Sequence, residues 1–151
     1  MKWSFFISEK NEIGTVVEKV LEKIKGLNMH TKYLCCDNAG ENSKQLNELC
    51  TKMGIQPEFT APNTPQQNGV AERAFAVILD SALSSMISAK LNTTYQGFLW
   101  AESVYAQTKI RHMIPMAGET VSPVEKFTEV APNYGNLIQW GRVGFVTIRD
   151  K

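Results

Sequence analysis

Aspartate is scarce in this sequence: of fifteen acidic residues only three are Asp, at positions 37, 80 and 150. Any site built on aspartates therefore has few ways to be assembled. Cysteine is scarce too, with Cys35, Cys36 and Cys50 giving an odd count that includes an adjacent pair. That pattern excludes a disulfide framework and a zinc-ligand spacing, and it fits a reducing intracellular compartment. The two histidines, His30 and His112, have no companions at metal-ligand spacing. Charge of one sign is also lacking. Sixteen Lys and Arg against fifteen Asp and Glu leave +1, so no strong field directs the chain to nucleic acid or membrane. No apolar run approaches the roughly 18 to 20 residues of a membrane span. The apolar start at residues 3–7 breaks at Ser8-Glu9-Lys10, short of the roughly 7 to 15 residues of a signal-peptide core. There is no internal repeat, low-complexity tract or linker.

What remains is globular. A chain of 151 residues, 43% hydrophobic and 21% charged, suits one ordinary domain and argues against disorder. Residues 3–7 read as a short strand. Thr15 with Glu18 three positions on predicts a capping box. Val16, Val17, Val20, Leu21 and Ile24 then form an apolar stripe, with Gly26 where a left-handed helix end belongs. Residues 32–36 read as a strand that is apolar on both faces, Tyr33 and Cys35 one way and Leu34 and Cys36 the other, which predicts an interior strand covered by helices. The adjacent cysteines point to opposite faces, so they are expected as buried hydrophobes and not as a redox pair.

The chain turns at Asp37-Asn38-Ala39-Gly40. A second helix is predicted over 43–53, with Leu46, Leu49, Cys50 and Met53 at helical spacing and Gly54 ending it. Residues 55–60 read as a strand, and Pro57 within it predicts a sheet edge. A polar loop over 61–69 leads to a helix over 70–89 whose inner face is Ala71, Phe75, Ile78, Leu79, Ala82 and Met86. A further helix spans about 95–114 and stops at Pro115. Phe98, Trp100 and Tyr105 on it read as core or interface. An apolar alternation over 140–148 predicts one more strand. Strands alternating with helices give an α/β fold.

Two acids stand out. Asp37 follows directly on a strand, where ligand sites gather in open α/β sheets, although an acid also simply favours a turn. Glu72 lies on the flank of its helix's apolar arc and in the first turn. A partly inward carboxylate there is costly unless paired or bound to a cation, while the helix dipole alone would tolerate it. Brought together, the two form a hard-oxygen site suited to Mg²⁺ or Mn²⁺, the ions that assist phosphoryl transfer. Lys109, Arg111 and His112 make a small basic cluster at a helix end, open to a DNA contact or to plain solvation.

Three stretches carry a resemblance: Cys36-Asp37-Asn38-Ala39-Gly40-Glu41-Asn42; the run Thr60-Ala61-Pro62-Asn63-Thr64-Pro65-Gln66-Gln67-Asn68-Gly69-Val70-Ala71-Glu72-Arg73; and Leu99-Trp100-Ala101-Glu102. They resemble the integrase catalytic core of copia-type LTR retrotransposons. Weaker matches continue through Ser122-Pro123-Val124-Glu125 and into the stretch 140–146. The resemblance implies a ribonuclease H-like fold, a mixed sheet flanked by helices. It also implies a DDE-type polynucleotidyl transferase whose Asp, Asp and Glu cut and join DNA with Mg²⁺ or Mn²⁺.

By motif, Asp37 resembles the second Asp and Glu72 the Glu, both as catalytic groups and as metal ligands. The loop residues Asn63, Thr64, Gln66, Gln67 and Asn68, with Arg73, are then the candidate contacts to DNA, that is, to element ends and target. A polar loop that merely caps the helix is the competing reading of those residues. Residues 1–130 would be a partial core and 131–151 the start of a post-core segment with a possible extra strand.

Two departures shape the expectation. Thirty-four residues lie between Asp37 and Glu72, one fewer than is usual in the family, a loss that fits a loop. No Asp precedes Asp37, so the family's first acid and the two strands around it are missing. The fold is then incomplete, and the strand at 32–36 exposes an edge that invites pairing with a second copy or a complementing chain. The chain is expected to bind metal weakly or not at all and to support little or no strand transfer alone. It would be a truncated element, one part of a split gene, or a non-catalytic nucleic-acid-binding or self-assembly module. Its setting would be intracellular, without membrane, and nuclear if it works as the family does.

Overall fold

The structure, a computed structural model, describes residues 1–36, 43–60 and 69–142. It is mostly helical with a small parallel sheet, a mixed α/β architecture. The chain divides into two compact units, Phe5–Ala74 and Met1–Ser4 with Phe75–Lys151.

In the first unit the order is α1 (Ile13–Gly26), β1 (Tyr33–Cys36), α2 (Ser43–Met53) and β2 (Gln56–Phe59). Strands β1 and β2 pair in parallel, Tyr33 opposite Gln56 and Cys36 opposite Phe59, with α2 as the crossover. The core is Leu21 from α1, Leu49 and Cys50 from α2, and Ile55, with Val17, Leu34 and Met53 packed against it. Burying this stripe is what fixes α1 and α2, since isolated helices of this length are marginal. Near its start α1 comes so close to α2 that a Cβ on the buried Gly14 would meet the side chain of Gln45 at 2.5 Å.

The predicted strand–helix–strand order holds over this unit, and α2 has the predicted bounds with Gly54 in the left-handed region at φ 67°. The predicted caps of α1 are displaced. Thr15 lies within the helix, and a 3₁₀ turn at Lys10–Glu12 precedes α1, closed by the Glu12 carboxylate accepting from the amides of Ser8 and Glu9 at 3.3 and 3.1 Å. At the other end Gly26 is still helical and Asn28 takes the left-handed turn at φ 57°. There backbone amides close the helix, Asn28 donating to the Lys25 carbonyl and Met29 to that of Ile24.

Strand β1 is not buried on both faces. Tyr33 and Cys35 are exposed, and only Leu34 and Cys36 turn partly inward, because α1 and α2 pack on a single side of a two-stranded sheet. Pro57 occupies an edge, as predicted. The amides of Gln56 and Thr60 donate to the carbonyls of Lys32 and Cys36, so strand alternation aims position 57 away from β1, where a missing N–H costs nothing.

Helix α3 (Gly69–Ser88) begins in the first unit and continues in the second, followed by α4 (Thr93–Met113) and α5 (Pro123–Thr128). Asn92 caps α4, its side chain accepting from the Tyr95 amide, and Pro115 follows the helix as predicted. Ser122 caps α5, which packs against α4. Ile78, Ala82 and Val104 form the core where α3 meets α4, with Leu79 against it. Ser103 is fully buried and its hydroxyl donates to the Ala82 carbonyl at 3.0 Å. The buried residues of α4 are Ser103, Val104, Thr108 and His112, three of them polar.

The aromatic residues expected as core or interface are not core: they point outward, with Phe98 75% exposed and Trp100 and Tyr105 half exposed. Small side chains let two helix backbones approach, and bulky rings would hold them apart. The inner face predicted for α3 is right for Ile78, Leu79, Ala82 and Met86 and wrong for Ala71 and Phe75.

Residues 3–7 form no strand among the described residues. The backbone amide of Lys2 donates to His112 Nε2 at 3.1 Å, Ser4 and Thr108 share a hydroxyl bond of 2.6 Å, and Trp3 meets Phe127 edge to face at 5.5 Å. These contacts dock residues 2–4 on helical side chains, while Phe5, Phe6 and Ile7 are exposed. The strand predicted over 140–148 lies mostly outside the described residues; Gly141, within them, turns at φ 79° against Ala89.

Candidate nucleic-acid interface

The carboxyl ends of β1 and β2 lie side by side, because the strands are parallel and in register and the Thr60 amide donates to the Cys36 carbonyl at 3.0 Å. The chain therefore leaves the sheet twice from one end, once after Cys36 and once after Thr60. In open α/β sheets this end is where ligands bind. Of the residues singled out from the sequence, Asp37 and the loop residues Asn63, Thr64, Gln66, Gln67 and Asn68 lie outside the described residues. What is described is the frame on either side of them.

Glu72 and Arg73 are described, in the first turn of α3. The half-buried position inferred for Glu72 is not observed: it is exposed, as are Val70, Ala71, Arg73 and Phe75. The packed part of α3 begins only at Ile78, so an apolar arc read from periodicity overstates burial at a helix end. The carboxylate consequently carries no burial penalty and stays available to a cation or to water.

Among the described residues no three His, Cys, Asp or Glu side chains come together as a metal site. Lys109, Arg111 and His112, expected as a basic cluster, each have a different partner. Lys109 sits over the Tyr105 ring at 4.5 Å, Arg111 donates to Ser81 Oγ at 2.9 Å, and His112 is buried with Nε2 accepting from Lys2. Each is held by a different neighbour: a ring on its own helix, a hydroxyl of α3, and the amide of Lys2.

The sequence reading missed one polar pair on the sheet. Cys35 Sγ donates to Glu58 Oε2 at 3.1 Å. That bond is the main reason the Cys35 thiol is held above its ordinary value of 9.0, with slight burial and the Glu58 charge acting the same way. Only strand register brings the two together, and register is not written in either segment alone. By contrast the Cys50 thiol is pushed up by burial.

No protein-family model matches the chain. It is 30% identical, over 97% of its length, to the "Retrovirus-related Pol polyprotein from transposon TNT 1-94" of Nicotiana tabacum, and it covers 11% of that protein. It is 27% and 25% identical, over 92% of its length in both cases, to the retrovirus-related Pol polyproteins from transposons RE1 and RE2 of Arabidopsis thaliana, covering 9% of each. The molecule is thus a mixed α/β chain with a parallel β1–α2–β2 unit. It is homologous over nearly its whole length to a segment of copia-type Pol polyproteins, about a tenth of their length.

Proposed function

We propose that this chain is a fragment of a retrotransposon integrase catalytic core, derived from enzymes that integrate DNA by metal-dependent polynucleotidyl transfer. Residues 1–130 are the partial core and 131–151 begin a post-core segment. Asp37 and Glu72 are its catalytic and metal-holding acids, and Asn63, Thr64, Gln66, Gln67, Asn68 and Arg73 face DNA, a polyanion that amides, hydroxyls and a guanidinium engage through phosphate. The partners are element ends and target DNA, with a second copy or a complementing chain, and the setting is nuclear when the parent protein works.

The observation that carries this reading is the Thr60–Cys36 bond. It sets two chemistry-bearing segments leaving one end of the sheet, and the helix that follows bears Glu72 in an exposed first turn. Homology to Pol polyproteins described as retrovirus-related supports the ancestry. Mg²⁺ or Mn²⁺ fits the donor set as far as it goes, since carboxylates are hard-oxygen ligands, and would supply nucleophile activation and charge stabilisation in phosphoryl transfer. Two carboxylates by themselves hold such an ion loosely. The outer edge of β1, which no described strand pairs with, also favours a second reading as a non-catalytic nucleic-acid-binding or self-assembly module.

Titration of the full chain with Mn²⁺, followed by water-proton relaxation, tests the site. Weak binding is expected that Asp37→Asn and Glu72→Gln each abolish and Glu129→Gln leaves intact. Binding indifferent to the first two substitutions removes the assignment. Anisotropy of a labelled duplex, weakened by Arg73→Gln and by added salt, tests the DNA face.

A further inference from the structure

Apart from the sheet end, the second unit carries a cleft of about 710 Å³, within the range of small-molecule sites, which run from about 300 to 1,000 Å³. Ile110, Ile114, Pro115, Met116, Ala117 and Pro123 line it with apolar surface. Ile114 and Met116 are 48% and 59% exposed, so the apolar wall is open to a ligand. The polar lining is Lys2, Gln107, Arg111 and His112, and among the described residues no carboxylate lines the cleft.

The Arg111 guanidinium is steadied by its bond to Ser81 and retains further N–H groups for a ligand. The carboxyl end of α4 contributes partial negative charge, enough to offset about half of one cation. Lys2 belongs to a different segment, so the wall remains positive. His112 Nε2 is committed to the Lys2 amide and helps hold that segment in position.

We propose that this cleft binds a small organic anion: an apolar body over Ile110, Ile114 and Met116, and a sulfonate, carboxylate or phosphate ester between Lys2 and Arg111. The site uses none of the residues assigned to DNA or metal, so it stands or falls independently of that assignment.

The probe is 8-anilinonaphthalene-1-sulfonate, titrated into the full chain by fluorescence, beside its uncharged analogue N-phenyl-1-naphthylamine. One-to-one binding of the sulfonate is expected, about tenfold tighter than the neutral compound, as for one charge-assisted contact. Lys2→Gln and Arg111→Gln should each weaken it about tenfold with circular dichroism unchanged, and Lys109→Gln, outside the cleft, should not. Lys2→Gln keeps the test valid should Arg111→Gln disturb the fold. Equal affinity for the two compounds, or indifference to both cleft substitutions, overturns the proposal. So does displacement of the probe by duplex DNA, which would assign these cations to nucleic acid instead.

Discussion

Cys35 and Glu58 meet across the two parallel strands, thiol to carboxylate at 3.1 Å. The bond stabilises the protonated thiol, and the neighbouring charge opposes the thiolate. Glu58→Gln should therefore bring the Cys35 pKa down toward 9.0 and speed its alkylation by iodoacetamide near pH 8, read peptide by peptide to separate it from Cys36 and Cys50. An unchanged rate would mean that the carboxylate does not control this thiol.

Leu21 lies 4% exposed in the core of the first unit, against Leu49, Cys50 and Ile55. Leu21→Ala should destabilise the chain by about 2 to 5 kcal/mol, the range for removing a buried leucine side chain. The urea midpoint measures it. A loss under about 1 kcal/mol would show that α1 does not close this core.

Alkaline pH should weaken the fold. Burial raises the Cys50 thiol above 9.0, and the Glu18 carboxylate, 2.8 Å from Lys52 Nζ, raises that ammonium above 10.5. Both groups are raised, so their stabilisation is complete below their unfolded values and is lost as pH rises through the folded ones. Urea midpoints should be level near neutrality and fall above about pH 9, and Cys50→Ala should flatten the first part of that decline. The Lys52 pair is on the surface, so Lys52→Met should barely move the midpoint at pH 7.

Pro57 leaves the outer edge of β2 without one backbone donor. Pro57→Val restores it and offers a strand that can add to another sheet. Sedimentation should show more self-association than for the parent chain. Identical sedimentation would mean that this edge was closed by something other than the proline.

Ser103 lets α4 approach the Ala82 carbonyl of α3. Ser103→Leu overfills that contact and should cost about 1 to 3 kcal/mol, whereas Ser103→Ala, which keeps the volume small, should cost about 1 kcal/mol or less. Equal losses from the two would mean that the hydroxyl, and not the close approach, sets the packing.

Much of the architecture was legible in local pattern. Helix α2 followed from Leu46, Leu49, Cys50 and Met53 at helical spacing with Gly54 behind them, and the edge position of β2 followed from Pro57 alone. Burial was less legible. Phe75 sits on the apolar arc of α3 and yet is 62% exposed, because periodicity reports which face is apolar and not how far along the helix a neighbour reaches. On α4 the rule inverted: the rings of Phe98 and Trp100 face out, and Ser103 and Thr108 face in, since close helix packing selects for size before polarity.

The sequence by itself determined the helix and strand order from α1 to α4 and the proline edge, but not the strand expected over residues 3–7. These depend on residues near one another in the chain, whose backbone preferences and spacing act locally. Tertiary structure alone decided the parallel register that joins Thr60 to Cys36 and Cys35 to Glu58, the exposure of Glu72, and the different partners taken by Lys109, Arg111 and His112. Each of those depends on what a distant segment supplies: a strand edge, a neighbouring helix or a hydroxyl. No local pattern carries that information.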